Sequence, residues 1–334
     1  MFYQKLGGRK VKCEVCPRFC EIEDGRTGFC RVRKNFRGVL NLLTYNKPVA
    51  TNIDPIEKKP LFHYAPGSKV FSVSTLGCNM RCDFCQNKSI SYGWEEVGDE
   101  ERTVEEISQQ IKDSGSEGVA YTYTEPTVFL EYCRDIMEET EEKFQVFVSN
   151  GYMSEKTAAF IGDRIDAINI DFKGGKEFYS KYCGVEDNSP IKDALQILNY
   201  KGVFIETTFL IIPGYNDRLE QLEKDFSWIR DRLGEETPVH ISRFFPVPGF
   251  SAPPTPIKKI EKIAELAEEI GLKHVYTGNL PGHSGENTYC PDCGKIVVKR
   301  SGYNVLGINF DIDGMCTNCG YELNIAGIEK STFY

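Results

Sequence analysis

Lys69-Val70-Phe71-Ser72-Val73-Ser74-Thr75-Leu76 runs directly into Gly77-Cys78-Asn79-Met80-Arg81-Cys82-Asp83-Phe84-Cys85-Gln86-Asn87. The first part is short, β-branched and apolar, which predicts a strand over 69–76. The second is a C-x3-C-x2-C loop. Beyond it the pattern alternates. Helices are expected over 103–114, 126–141, 154–161, 191–200, 219–233 and 256–270. Strands are expected over 118–123, 144–149, 166–172, 203–212, 238–244 and 273–277. Val104, Ile107 and Ile111 recur at the spacing of one helical face, with Asp99 or Thr103 as a candidate cap. Pro126 suits a first helical turn and Gly271 a helix end. Strict β/α alternation implies a parallel sheet covered by helices. Six or seven such units fit a full or partial (β/α) barrel better than an open doubly wound sheet. In a barrel the chemistry gathers at the C-terminal ends of the strands, where the cysteine loop begins.

Composition narrows the class. The chain has 334 residues, 40% hydrophobic and 27% charged, as in ordinary globular proteins. No apolar run is long enough to span a bilayer, and the start lacks the apolar core of a secretory signal. The formal net charge of −9 argues against a broadly basic nucleic-acid surface. The unusual number is 13 cysteines. An odd count without a signal points to metal or cluster ligation in a reducing cytoplasm rather than to a disulfide framework.

The cysteines fall in groups: Cys13, Cys16, Cys20 and Cys30; then Cys78, Cys82 and Cys85; then Cys290, Cys293, Cys316 and Cys319, with Cys133 and Cys183 apart. Three thiolates on one loop can hold three irons of a [4Fe–4S] cluster and leave the fourth open. The alternative is a zinc site completed by a distant residue. The first group, C-x2-C-x3-C-x9-C, suits one Zn²⁺ or an auxiliary [4Fe–4S] cluster. A cluster would suggest an electron route, zinc a folding staple. The last group forms two CxxCG turns around a β-rich segment. That is the pattern of a structural zinc ribbon or of a rubredoxin-type iron knuckle, with zinc favoured. Cys133 reads as a small buried apolar residue.

The three-cysteine loop resembles the signature of the radical S-adenosylmethionine (SAM) superfamily, with Phe84 as its aromatic. The resemblance implies a partial (β/α)6-type barrel in which SAM occupies the open iron. One electron would cleave SAM to a 5′-deoxyadenosyl radical that abstracts hydrogen from a substrate. Tyr123-Thr124-Glu125-Pro126 resembles the segment that holds the SAM amine, implying roles for Thr124 and Glu125. Asp171-Phe172-Lys173 and Ile212-Pro213-Gly214 resemble segments of pyruvate formate-lyase activating enzymes, where the lysine approaches the SAM carboxylate. His240, expected near the C-terminal end of its strand, is a further candidate contact to SAM or substrate; a satisfied core histidine is the competing reading. Asp54-Pro55-Ile56-Glu57-Lys58-Lys59-Pro60-Leu61, with 121–126, His240-Ile241-Ser242-Arg243-Phe244 and Pro246, and the N-terminal Cys13-x2-Cys16-Pro17, is similar to the radical SAM member of the AmmeMemoRadiSam system.

The implied partners are a flavodoxin- or ferredoxin-type electron donor and an unidentified substrate, small molecule or protein. Neither nucleic acid nor membrane is expected as a partner. Within this class a glycyl-radical activating enzyme is one possibility; a non-catalytic iron–sulfur or zinc protein is the reading from another class. Turn-rich stretches divide the chain into an N-terminal cysteine module (1–66), a barrel (67–283) and a C-terminal ribbon (284–334).

Overall fold

The computed structural model describes residues 2–98 and 100–330. Its centre is one eight-stranded sheet: β1 (Pro48–Pro55), β2 (Lys69–Thr75), β3 (Gly118–Tyr121), β4 (Phe144–Ser149), β5 (Ala167–Asp171), β6 (Phe204–Ile211), β7 (Val239–Arg243) and β8 (Val275–Gly278). Each strand pairs with its neighbour in chain order, and β8 does not pair with β1. This sequential winding with an unclosed seam is a partial barrel. β2 to β8 are mutually parallel, whereas β1 runs antiparallel to β2.

The intervening helices are α1 (Val104–Asp113), α2 (Leu130–Glu139), α3 (Glu155–Gly162), α4 (Ser189–Tyr200), α5 (Leu219–Leu233) and α6 (Ile257–Glu269). Thr103 caps α1 through a full capping box: its hydroxyl accepts from the Glu106 N–H and the Glu106 carboxylate accepts from the Thr103 N–H. The competing cap, Asp99, lies outside the described residues. The helix expected over 126–141 is divided into a 3₁₀ turn, Pro126–Phe129, and α2. No described helix is long and apolar enough to cross a membrane.

Side chains alternate between the two faces of each strand. The register aligns Asn169 with Glu206, Thr208 with His240, and His240 with Tyr276. This face meets the 56–65 segment: Asn169 donates to Pro60 O at 2.7 Å, and the His240 ring lies 4.7 Å from that of Phe62. The other face carries the apolar core, with Phe209 against Phe226 of α5 at 4.9 Å.

The C-terminal module has strands Thr288–Tyr289, Ile296–Ser301 and Asn304–Ile308 and its own core of Val297, Val298, Phe310, Leu323 and Ile328. It docks beneath the N-terminal ends of the barrel strands. Arg300 donates to Phe62 O at 2.6 Å, Lys330 pairs with Asp166 at 2.9 Å, and Asn324 donates to Glu236 O at 2.9 Å. The N-terminal module sits at the opposite end. Ser154, at the start of α3, donates both its N–H and its hydroxyl to the backbone of Val15 and Glu14.

Candidate functional site

Cys78, Cys82 and Cys85 leave the C-terminal end of β2 on a loop fixed from several sides. Gly77 has φ +107°, and a Cβ there would meet Val32 Cγ1 at 2.8 Å and Cys30 O at 3.3 Å. Only glycine lets the loop pass this close to the N-terminal module. The Arg81 and Asp83 N–H groups donate to Cys183 O and Tyr182 O, both at 3.0 Å. The Arg81 guanidinium reaches Cys78 O, Met80 O and Phe29 O. Tyr92 donates its hydroxyl to Cys82 O at 2.6 Å.

The Cys85 thiol donates to Ser91 Oγ at 3.7 Å. Cys78 Sγ has donors of its own, the Met80 N–H at 3.4 Å and Asn150 Nδ2 at 3.6 Å. Such donors stabilise metal-bound thiolate and tune cluster potential. Phe84 is buried between Phe178 and Phe250, 5.4 and 5.9 Å away. Burial pushes up the thiol pKa values of Cys78 and Cys85; for Cys82 the close Cys183 thiol acts first and burial second. Ligation of a metal would release the proton of each thiol.

A single zinc needs thiolates about 3.8 Å apart, from Zn–S bonds of about 2.3 Å in a tetrahedron. Among the described residues, Cys78, Cys82 and Cys85 belong to no group of three or more His, Cys, Asp or Glu ligand atoms within 4.8 Å of one another. Thiolates that each bind a separate iron of a cluster stand further apart than the ligands of one zinc ion.

The other expected contacts divide. Lys173 stands at the mouth with Nζ 3.1 Å from Asp171 and 6.0 Å from the Phe84 ring centre. Burial works to lower its pKa, but Asp171, Cys82 and Tyr179 outweigh it and the net direction is upward. Lys173 is thus a firmly held cation beside the cysteine loop. Asp171 is half-exposed. Thr124 donates to Thr75 O at 2.7 Å and lies 2.9 Å from Ser74 Oγ.

Glu125 is buried and its carboxylate serves protein donors. It accepts from the Thr127 N–H at 3.1 Å, the Thr127 hydroxyl, the Ser149 hydroxyl at 2.8 Å and the Asn150 N–H at 2.8 Å. It therefore ties the end of β3 to the end of β4. Asn150, held in this way, also donates to Asn79 Oδ1 at 2.9 Å. Glu125 thus acts on the cysteine loop through Asn150, a link the sequence pattern did not show.

His240 occupies the second position of β7, towards the N-terminal end rather than the expected C-terminal end. Its Nε2 meets Glu206 at 2.6 Å, and its ring stacks on Tyr276. Glu206 also accepts from the His63 N–H at 2.8 Å. These residues form the barrel floor and lie away from the cysteine loop.

The ribbon cysteines converge. Cys290, Cys293, Cys316 and Cys319 lie within 4.8 Å of one another, with Cys290–Cys319 at 3.6 Å and Cys293–Cys316 at 3.8 Å. Gly294 and Gly320 take positive φ, 68° and 73°, where the two knuckles turn. The first four cysteines are brought near one another as well, and the Cys13, Cys30 and Cys20 thiols all bear on Cys16, whose pKa burial raises first.

A family model described as the radical SAM superfamily matches residues 72–228. A protein of Methanocaldococcus jannaschii described as uncharacterized is 43% identical over 330 residues, 97% of this chain and 98% of its own length. A radical SAM methyltransferase from Sphaerobacter thermophilus has a similar fold, with TM-score 0.51 and 13% identity over 66% of this chain and 70% of that one. A domain of a pyruvate-formate lyase-activating enzyme from Bacteroides vulgatus gives TM-score 0.42 and 11% identity, over 48% of this chain and 99% of the domain.

Proposed function

The chain belongs to the radical SAM superfamily, and from that premise we propose that Cys78, Cys82 and Cys85 hold a catalytic [4Fe–4S] cluster for hydrogen abstraction from a bound substrate. The supporting observation is the wide, donor-lined cysteine loop at the C-terminal end of β2, with Lys173 beside it. When bound, the cluster and SAM supply the one-electron cleavage that yields the 5′-deoxyadenosyl radical.

The chain's own residues position and shield. Lys173 supplies a positive charge for the SAM carboxylate, and Asp171 keeps that ammonium at the mouth. Phe84 packs over the loop and keeps water from its sulfurs. Asn150 and the Met80 N–H donate to Cys78 Sγ. Thr124 fixes the turn after β3, and Glu125 orients Asn150 and would supply a carboxylate for the SAM amine. His240 supports the barrel floor below. The ribbon cysteines hold zinc as a structural site with no open position. An external one-electron donor of the flavodoxin or ferredoxin class supplies the electron. The motifs at 54–61 and 121–126 support a place beside the AmmeMemoRadiSam type.

The test is anaerobic reconstitution with iron and sulfide, then addition of SAM and dithionite. The expected product is 5′-deoxyadenosine, lost in Cys82→Ala. An intact, reducible cluster that yields none, or a Cys82→Ala protein that still yields it, overturns the reading.

A further inference from the structure

The chain holds two four-cysteine groups of different spacing, and the structure arranges them differently. The ribbon group is gathered to the spacing of a single tetrahedral metal ion, with sulfurs 3.6 and 3.8 Å apart. Cys13, Cys16, Cys20 and Cys30 share one fold: Cys13 N donates to Cys20 O at 2.9 Å, and Gly28 lets the chain pass Cys20 Sγ at 3.6 Å from where a Cβ would stand. Yet no three of these four sulfurs lie within 4.8 Å of one another. The same holds for Cys78, Cys82 and Cys85.

A second observation bears on the same place. Arg33 is 3% exposed and faces Cys13 and Cys30. Its two terminal nitrogens bind Glu131, but its Nε has no hydrogen-bond partner. An orphaned buried donor is costly unless something accepts from it. A Zn(Cys)4 site offers only its four thiolates as acceptors. An iron–sulfur cubane also carries bridging sulfides, which accept N–H donors from the surrounding chain.

We propose that Cys13, Cys16, Cys20 and Cys30 hold a second [4Fe–4S] cluster, with Arg33 Nε as a donor to it. This cluster is fully ligated by protein and has no vacancy for SAM. It adjoins the catalytic loop: Cys30 O lies 3.3 Å from the Cβ position of Gly77, and Arg81 spans from the loop to Phe29 O at 2.7 Å. The inference rests on the family reading only for the identity of that neighbouring cluster.

The test uses the full chain reconstituted anaerobically with ferrous iron and sulfide. Metal analysis should give about eight irons and one zinc per chain. The triple variant Cys78→Ala/Cys82→Ala/Cys85→Ala should keep about four irons and, after dithionite, an EPR signal that SAM does not change. Cys16→Ala/Cys20→Ala should lose about four irons and keep the SAM-sensitive signal. If the second variant fails to fold, the triple variant decides alone. A triple variant with two zincs and no cluster iron overturns the proposal. A wild-type protein with no SAM-sensitive signal, beside a triple variant that keeps its irons, would instead sink the family reading and leave this one standing.

Discussion

Arg33 and Glu131 form a two-armed ion pair, with Nη1 to Oε1 at 2.9 Å and Nη2 to Oε2 at 2.6 Å. It joins the N-terminal cysteine module to the first turn of α2. Glu131 is 30% exposed at its side chain, so part of its attraction is screened by water.

Glu131→Gln leaves the buried guanidinium half-partnered and should destabilise by about 1–3 kcal/mol. The pair also has a pH signature. Burial alone would raise the Glu131 pKa, but Arg33 outweighs it and the net direction is down. A depressed native pKa stabilises the fold above the unfolded value, about 4.3 for glutamate, and that contribution disappears as pH falls through the native pKa. Urea titrations from pH 7 to pH 3 should show a wild-type advantage over Glu131→Gln that shrinks on the acid side. An advantage constant across that range would refute the assignment.

Asn150→Ala removes the donor to Cys78 Sγ and to Asn79. Loss of a hydrogen bond to a cluster thiolate should make the cluster harder to reduce. The expected cost in 5′-deoxyadenosine formation is about 10- to 100-fold. A redox titration followed by EPR reads the potential directly. An unchanged potential would mean that Asn150 serves only the loop's shape.

Glu125→Gln places an amide group among donors that need an acceptor. One mismatched buried group should cost about 1–3 kcal/mol. Chemical denaturation measures it, and SAM binding by equilibrium dialysis of the same variant separates a weakened site from a weakened fold.

Gly118→Ala would drive a Cβ to 2.1 Å from Phe144 Cε2 at the foot of β3. Overpacking of this kind costs about 1–3 kcal/mol, so the variant should melt at a lower temperature while the loop cysteines still take up iron. A variant as stable as wild type would show that Phe144 can swing aside freely.

Much of the barrel was legible in sequence because its strands carry near-continuous apolar runs and its helices show one-sided periodicity. The residues that escaped did so for identifiable reasons. β1 bears polar Asn52 and Asp54 among apolar neighbours, and its antiparallel pairing reads as a loop. Tyr123 falls inside the expected strand over 118–123, yet takes φ +63°, which a propensity argument cannot foresee. The cysteine groups were visible as spacings, but whether four thiols converge on one ion depends on how the turns close. Glu125 stood out as a motif residue, whereas its ties to Ser149 and Asn150 needed β3 and β4 side by side. His240 was expected at the C-terminal end of β7, yet it is the second residue of Val239–Arg243 and already lay in the first half of the expected strand over 238–244.

Arg300 reaches Phe62 O across 238 residues of sequence. At about 5–20 residues per second, a ribosome releases Phe62 on the order of ten seconds to a minute before Arg300 exists. Throughout that interval Glu57, whose carboxylate ends buried 3.5 Å from the Arg300 Nε, must stay in water. Both cysteine groups at the other end are already complete by Cys85. Synthesis thus delivers these loop cysteines before the residues that seal the barrel floor, so the floor is covered only after Arg300 has been made.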